Sequence, residues 1–490
     1  MAGRPQSVPH WLDLLPSVLI GAVLVLGALA AYWLPGSVRY YNHFVWQATA
    51  FLSGQAAIPW PVAGNDYFQD VFPVLDASGG QTGFALLPFP PLPAIVLMPV
   101  VAIFGLATDH RAVSVVLGAV DVGLCWWALG RLPIGRPVRL AVSIFFAFGT
   151  VFWYAAELGT TWFFAHVVAV GFAFLAVGVA LGGDPALAED EGTVDHGDGT
   201  VASVAGAGLN RLVEATLNAF GELGRRLGDP RSLIDRRQFA AGLLFGIACT
   251  ARLTIVFGAP FFVFVGSGGS AARRAVSAGL GAIIPIGLLL AYNQVTTGHV
   301  FHPGYEYLYR LEANGYGALG YHPAWSIEDI RYLPQNLGLM LFGMPAILPD
   351  RIPSGLGPGA YLCADPNAVR GLFDVTCPIA LPRDVGMSIL LTSPAYLLAL
   401  PALRDAARSR LVAGTGAAVL AIAIVNLMHF SQGWVQFGYR FSNDFVVFAL
   451  PLVAHGISRR GGVGLLALWL VGVSVAVNFW GMTWGNLLGW

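Results

Sequence analysis

Only 11% of this 490-residue chain is charged, so an ionisable side chain inside or beside an apolar run is costly and asks for a function. Asp66 and Asp70 fall in NDYFQDVFPVLD, Glu157 and His166 in AAELGTTWFFAH, Arg252 in CTARLT, Glu306 in FHPGYEYLYR, and Arg440 with Asp444 in GWVQFGYRFSND. Asp66 and Asp70 share one face if their stretch is helical. A carboxylate at a membrane surface can act as general base on a hydroxyl or amine acceptor; it can equally be an N-cap or a solvated loop acid. Arg252 and Arg440 present planar forks suited to phosphate, with a structural carboxylate pair as the other reading of Arg252. His166 follows Trp162 by one helical turn and could bond a phosphate or cap the turn.

These groups must be held by membrane-spanning helices. Apolar residues make up 56% of the chain and the net charge is −1, which excludes a general nucleic-acid role. Every basic residue is Arg. Eleven apolar runs read as spans, at roughly 15–34, 110–130, 140–157, 161–182, 238–251, 253–267, 275–293, 386–403, 411–429, 443–457 and 462–481. A further run, LLPFPPLPAIVLMPVVAIFG over Leu86–Gly105, has the length to cross but is broken by prolines.

Arginine placement decides its fate. Arg131/Arg136/Arg139, Arg231/Arg236/Arg237, Arg273/Arg274, Arg404/Arg408/Arg410 and Arg459/Arg460 lie in short loops that belong on the cytoplasmic side. With the N-terminus cytoplasmic, all five groups fall inside only if Leu86–Gly105 lies at the outer interface instead of crossing. The stretch 235–274 must then enter and return as two short helices, with Arg252 at the external end of the hairpin. The expectation is an all-α polytopic protein of the cell membrane with about eleven spans. Interfacial helices sit in a large first external loop, 35–108, and a second external region covers 294–385. The organisation divides as a transmembrane module over 1–293, that external region, and C-terminal helices over 386–490. A cytoplasmic insert at 183–237 opens acidic and Gly-rich, reads as disordered, and continues into an amphipathic stripe from Leu209 to Leu227.

On this topology the groups named above collect at the external surface. Aromatic residues gather there too, Tyr305 and Trp434 among them; interfacial belts explain many, and sugar rings stack on such faces. Glu157, Tyr305, Glu306 and Trp434 are the candidates for substrate contact. Cys363 and Cys377 flank a polar loop and could pair on an oxidising side; Cys125 and Cys249 sit in apolar runs. No CxxC or HExxH pattern points to a metal site, although external acids could bind a divalent cation.

Several segments together resemble the GT-C superfamily of membrane glycosyltransferases, which includes protein O-mannosyltransferases and lipid A aminoarabinose transferases. They are PFPPLPA in the first external loop, the basic loop GRLPIGRPVR, the hairpin AAGLLFGIACTARLTIVFGAP, and the segments YNQVTTGHVFHPGYE and GWVQFGYRFSNDFVVFALP. The resemblance implies transfer of a sugar from a polyprenyl-phosphate carrier to a glycan, lipid or protein acceptor at the external face, usually with inversion. It places the base in the first loop and basic residues on the lipid phosphate: Arg252, Arg440 and His166 here. Many members carry an acid just after the first span. RYYNHFVWQATAFL has none there, so the base falls to Asp70 or Asp66, with His43 as the other candidate. A transporter or flippase for a lipid-linked or small polar substrate is the alternative, against which stands the absence of a visible internal repeat.

Overall fold

A computed structural model describes residues 15–34, 41–61, 70–184, 187 and 234–490, the last range less 316, 358 and 366. Asp66 and the amphipathic stripe from Leu209 to Leu227 lie outside the described residues. The body is helical, as the apolar runs require. In chain order come α1 (Ser17–Trp33), α2 (His43–Leu52), α3 (Leu92–Phe104), α4 (His110–Leu129), α5 (Arg136–Gly149), α6 (Phe152–Leu158), α7 (Thr161–Leu181) and α8 (Arg236–Cys249). They are followed by α9 (Pro260–Phe264), α10 (Ala271–Thr297), α11 (Gly304–Gly315), α12 (Leu333–Phe342), α13 (Ile389–Thr392), α14 (Arg410–Met428), α15 (Ser442–Arg459) and α16 (Leu465–Leu487).

Among the described residues, α4, α7, α10, α14 and α16 are long and apolar enough to cross a membrane, and the pair α5 and α6, bent by 52°, passes the same test together. Three of the expected spans are not continuous α-helix: the 140–157 run is that bent pair, and two more are irregular. The 253–267 run is a 3-10 turn, Leu253–Gly258, then α9; the 386–403 run is the one-turn α13, then a 3-10 stretch, Pro394–Asp405. Prolines at 260, 394 and 401 remove the donors that an α-helix would need there. The proline-rich segment is short: the 13 residues of α3 reach about 20 Å at 1.5 Å per residue, less than the ~30 Å hydrocarbon core.

The regions 35–108 and 294–385 are not wholly helical where they are described. Strands β1 (Ile58–Pro59), β2 (Phe72–Leu75) and β3 (Gln81–Leu86) form an antiparallel sheet in the order β1-β3-β2. Asp76 closes the β2–β3 turn by accepting from Ser78 N (2.8 Å), Ser78 Oγ (2.6 Å) and Gly80 N (2.9 Å). A second antiparallel pair, β4 (Ala346–Ile347) with β5 (Ala380–Leu381), braces the later loop. Cys363 and Cys377 are bonded there, with Cα atoms 4.5 Å apart, inside the range a disulfide spans.

Helices α8 and α10 touch backbone to backbone. A Cβ at Gly242 would sit 2.0 Å from the Ala278 carbonyl oxygen, and one at Gly281 would sit 2.1 Å from that of Phe239. Small residues allow this approach, and it fixes the helix that ends just before Arg252. Gly279, two residues before Gly281, faces open space. Gly281→Leu is therefore expected to cost at least about 1–3 kcal/mol and to lower the thermal midpoint of the detergent-purified protein, with Gly279→Leu leaving it unchanged.

Candidate functional site

The site is organised around a carboxylate in the first turn of α15. Asp444 is wholly buried, and its oxygens are saturated. Oδ1 accepts from Arg252 Nε at 3.1 Å and lies 2.9 Å from His166 Nδ1, at an angle too poor for a hydrogen bond. Oδ2 accepts from Arg252 Nη2 (3.0 Å), Thr254 Oγ1 (2.7 Å) and Asn426 Nδ2 (3.1 Å). A buried acid needs this much compensation; the bonds come from the turn after α8 and from α14, with the His166 ring of α7 standing beside them. The structural reading of Arg252 is thus realised. The same geometry leaves its Nη1 without a hydrogen-bond partner among the described residues.

Arg440 has the opposite character. Its guanidinium meets no carboxylate or hydrogen-bond acceptor among the described residues, and its Nε is buried unpartnered. It lies against the Cα of Gly433, where a Cβ would stand 2.6 Å from both Cζ and Nε; Gly433 has φ 91°, which favours glycine on its own account. Arg440 covers the ring of Phe441 at 5.2 Å and that of Phe163 at 5.7 Å, while Arg252 covers the same Phe441 ring at 5.4 Å. Two guanidinium groups thus flank one phenyl. Burial, with the Arg252 charge adding to it, pushes Arg440 down to about 10, so it stays cationic at neutral pH.

Asp70 completes the set. Its Oδ2 accepts from Trp162 Nε1 at 2.9 Å, which places it beside the N-terminus of α7. Its φ of 59° lies in the left-handed region that Asp tolerates better than most residues. Burial raises its pKa to about 6, against the pull of the Trp162 hydrogen bond and the Arg440 charge. A small cleft of about 30 Å³ opens among Phe89, Pro90, Thr161, Trp162, Arg252 and Tyr305. Pro90 belongs to the proline-rich segment, and the Leu92 amide bonds the Thr250 carbonyl at 3.3 Å, tying that segment to the Arg252 turn. Burial pushes the Tyr305 hydroxyl up to about 12, so it remains a donor throughout the physiological range.

The other expected residues stand elsewhere. His43 is fully buried behind the cleft; its Nδ1 lies 2.8 Å from Thr161 Oγ1 and its ring 5.9 Å from Trp162, so it braces the wall rather than facing a substrate. Glu157 pairs with Arg111 at 3.3 Å in the interior. Glu306 pairs with Arg310 at 2.7 Å on an exposed helix face. Trp434 donates to Asp384 at 2.8 Å. None of these four lines the cleft, whereas Tyr305 does. Among the described residues no three His, Cys, Asp or Glu side chains group closely enough to hold a metal ion. Trp162, Thr254 and Asn426 are participants that sequence reasoning does not reach, since their partners lie 92, 190 and 18 residues away.

Removing Asp444 leaves Arg252 without its counter-charge. Asp444→Ala is expected to destabilise by about 3–5 kcal/mol, read as a large drop in thermal midpoint or loss of monodisperse protein. Arg440→Ala, which breaks no ion pair, should leave folding intact in the same measurement.

The chain matches no protein-family model and no curated protein. Among solved structures it overlays on the Archaeoglobus fulgidus oligosaccharyltransferase. One form of that protein is tethered by a disulfide to an acceptor peptide containing the NVT sequon (TM-score 0.40), and another is the apo form (TM-score 0.37). Identity is 11% in both cases, and the alignments cover 96% and 98% of this chain but 54% and 56% of those chains. The chain therefore spans about half the length of that protein, and the functional reading rests on the site itself.

Proposed function

We propose that this chain is an inverting membrane glycosyltransferase that moves a sugar from a polyprenyl-phosphate carrier to an acceptor at the external face of the cell membrane. The observation that carries the reading is a cleft lined by Arg252 and Trp162, with Asp70 (pKa near 6) bonded to that Trp162 and with Arg440, which has no acid partner among the described residues, sharing the Phe441 ring with Arg252. Apolar helices of spanning length support a membrane setting, and the arginine-rich loops support an external site with a cytoplasmic N-terminus and eleven crossings. The 1–293 module and the 386–490 helices supply the cations, with the 294–385 region contributing Tyr305.

In this mechanism Asp70 takes the proton from an acceptor hydroxyl or amine as the acceptor attacks the anomeric carbon from the face opposite the phosphate. The bond between that carbon and the phosphate oxygen breaks, its electron pair stays on the oxygen, and polyprenyl phosphate departs. Arg440 and the outward edge of Arg252 meet the charge that grows there, where fixed cations in a partly dry site act most strongly. Asp444 bonds no substrate; it holds Arg252 in place. Asp70 is preferred over His43 as the base, because it bonds the cleft-lining Trp162 and feels the Arg440 charge while His43 is fully buried against Thr161; Asp66 lies outside the described residues.

The pH dependence follows from the sign of the Asp70 shift. A base must be deprotonated, so kcat/KM for sugar transfer is expected to rise with pH to a plateau, with a midpoint near the Asp70 pKa of about 6. Asp70→Asn should lose about 10²–10⁴-fold in rate. Burial penalises only the charged form, and Asn keeps an oxygen for Trp162, so the thermal midpoint of that variant at pH 7 should equal or exceed wild type. Full transfer activity in Asp70→Asn would overturn the base. Polyprenyl phosphate should raise the wild-type thermal midpoint by mass action and lose that effect in Arg440→Ala.

A further inference from the structure

A second acid–base pair stands at the edge of this site. Glu328 Oε1 and His429 Nδ1 are 3.2 Å apart. The two residues face each other across an antiparallel backbone bridge, closed by Asp329 N to Met428 O and Phe430 N to Ile327 O, each 2.8 Å. The Asn336 amide pins the same segment through the carbonyls of Leu427 (2.9 Å) and His429 (2.8 Å). Exposed ion pairs are usually mobile and contribute little to stability; this one is positioned by main chain on both sides.

Its location ties it to the cleft. The His429 ring stands edge-on to Phe441 at 6.1 Å and 89°, the ring that Arg252 and Arg440 both cover. The Glu328 charge reaches Tyr305, which lines the cleft beside Arg252. Glu328 is 52% exposed and His429 25% exposed, and Glu328 Oε2 and His429 Nε2 have no hydrogen-bond partner among the described residues. The pair thus offers outward a carboxylate oxygen that accepts and an imidazole nitrogen that accepts or donates according to its tautomer.

That chemistry selects a ligand. A carboxylate repels phosphate, so the lipid phosphate belongs at Arg440 and not here. An apolar lipid tail would leave both groups unsatisfied. Neighbouring hydroxyls on one sugar ring, which donate and accept at adjacent carbons, match the pair. We infer that Glu328 and His429 form a carbohydrate subsite that bonds sugar hydroxyls while Arg440 and Arg252 hold the phosphate, an assignment that rests on the glycosyltransferase reading above.

The test separates sugar from phosphate. Tryptophan fluorescence of the detergent-purified full chain is titrated with undecaprenyl phosphate and with the same lipid phosphate carrying glucose, mannose or arabinose. Methyl glycosides of those sugars, added to protein saturated with undecaprenyl phosphate, distinguish a sugar carried by the lipid from one offered as acceptor. Wild type should bind at least one sugar-bearing form, or one methyl glycoside in the second arm, with a sugar-dependent gain of about 10-fold, the size of a hydrogen bond to a charged group. Glu328→Gln and His429→Gln should each remove that gain and leave binding of undecaprenyl phosphate unchanged. A gain retained in both variants, a loss shared equally by the bare lipid phosphate, or no sugar-dependent gain in wild type would overturn the subsite. Failure of wild type to bind any of the four lipids would instead overturn the glycosyltransferase reading.

Discussion

The segments that carry Arg252 and Trp162 into the cleft meet at the Asp444 carboxylate. Arg252 and Thr254 bring the turn after α8, Asn426 brings the end of α14, and His166 stands against it from α7. Through Arg252 the same centre reaches the proline-rich segment, whose Leu92 amide is bonded to Thr250. A carboxylate in a dry interior is tolerated only when its charge and lone pairs are answered. The requirement therefore works as an assembly constraint: four segments must be correctly placed before Asp444 can be buried at all.

The two arginines divide the work of one site. Arg252 is neutralised and rigid, an organiser whose outer edge alone remains available. Arg440 is held by shape instead of charge, laid on a glycine and between phenyl rings, and so keeps its hydrogen-bonding capacity for something else. Cations held over aromatic faces lose less to desolvation than cations in bare hydrocarbon. Asp70 shows the complementary compromise. Its strained backbone and buried carboxyl are unfavourable for folding, and such features concentrate where chemistry is done.

Much of this scaffold was legible in the sequence, and the reasons are physical. Hydropathy located the helix bodies because a bilayer forces long apolar runs. Prolines revealed that Leu86–Gly105 contains only a short helix, and arginines at both ends of 235–274 revealed a hairpin with Arg252 at its tip, where α8 indeed ends. Local signals failed where geometry is set from afar. The 3-10 stretches after Arg252 and before Arg404 carry ordinary hydrophobic composition, so only their prolines hinted at irregular backbone. The small sheet around β3 is half loop by composition, although the Asp76–Gly80 turn had the residues of a hairpin. Cys363 and Cys377 could be proposed as a pair, but spacing could not decide it. The fate of Arg252 was beyond reach because its partner is separated by most of the C-terminal half. Glu328 and His429 were invisible for the same reason: Glu328 lies outside every apolar run, His429 closes one, and only the backbone bridge brings them together.

The distance along the chain between Arg252 and Asp444, 192 residues, has a consequence for biogenesis. At a synthesis rate of about 5–20 residues per second, roughly 10–40 s separate the emergence of the two partners. For that interval Arg252 is a guanidinium in an unfinished membrane domain with no counter-ion. On the topology proposed above, its place at the tip of a hairpin of short helices, instead of the centre of a long one, puts the waiting charge near headgroups and water, where its cost is least. The late arrival of α15 then converts a tolerated surface cation into a buried pair, making the last third of the chain the step that locks the first two thirds.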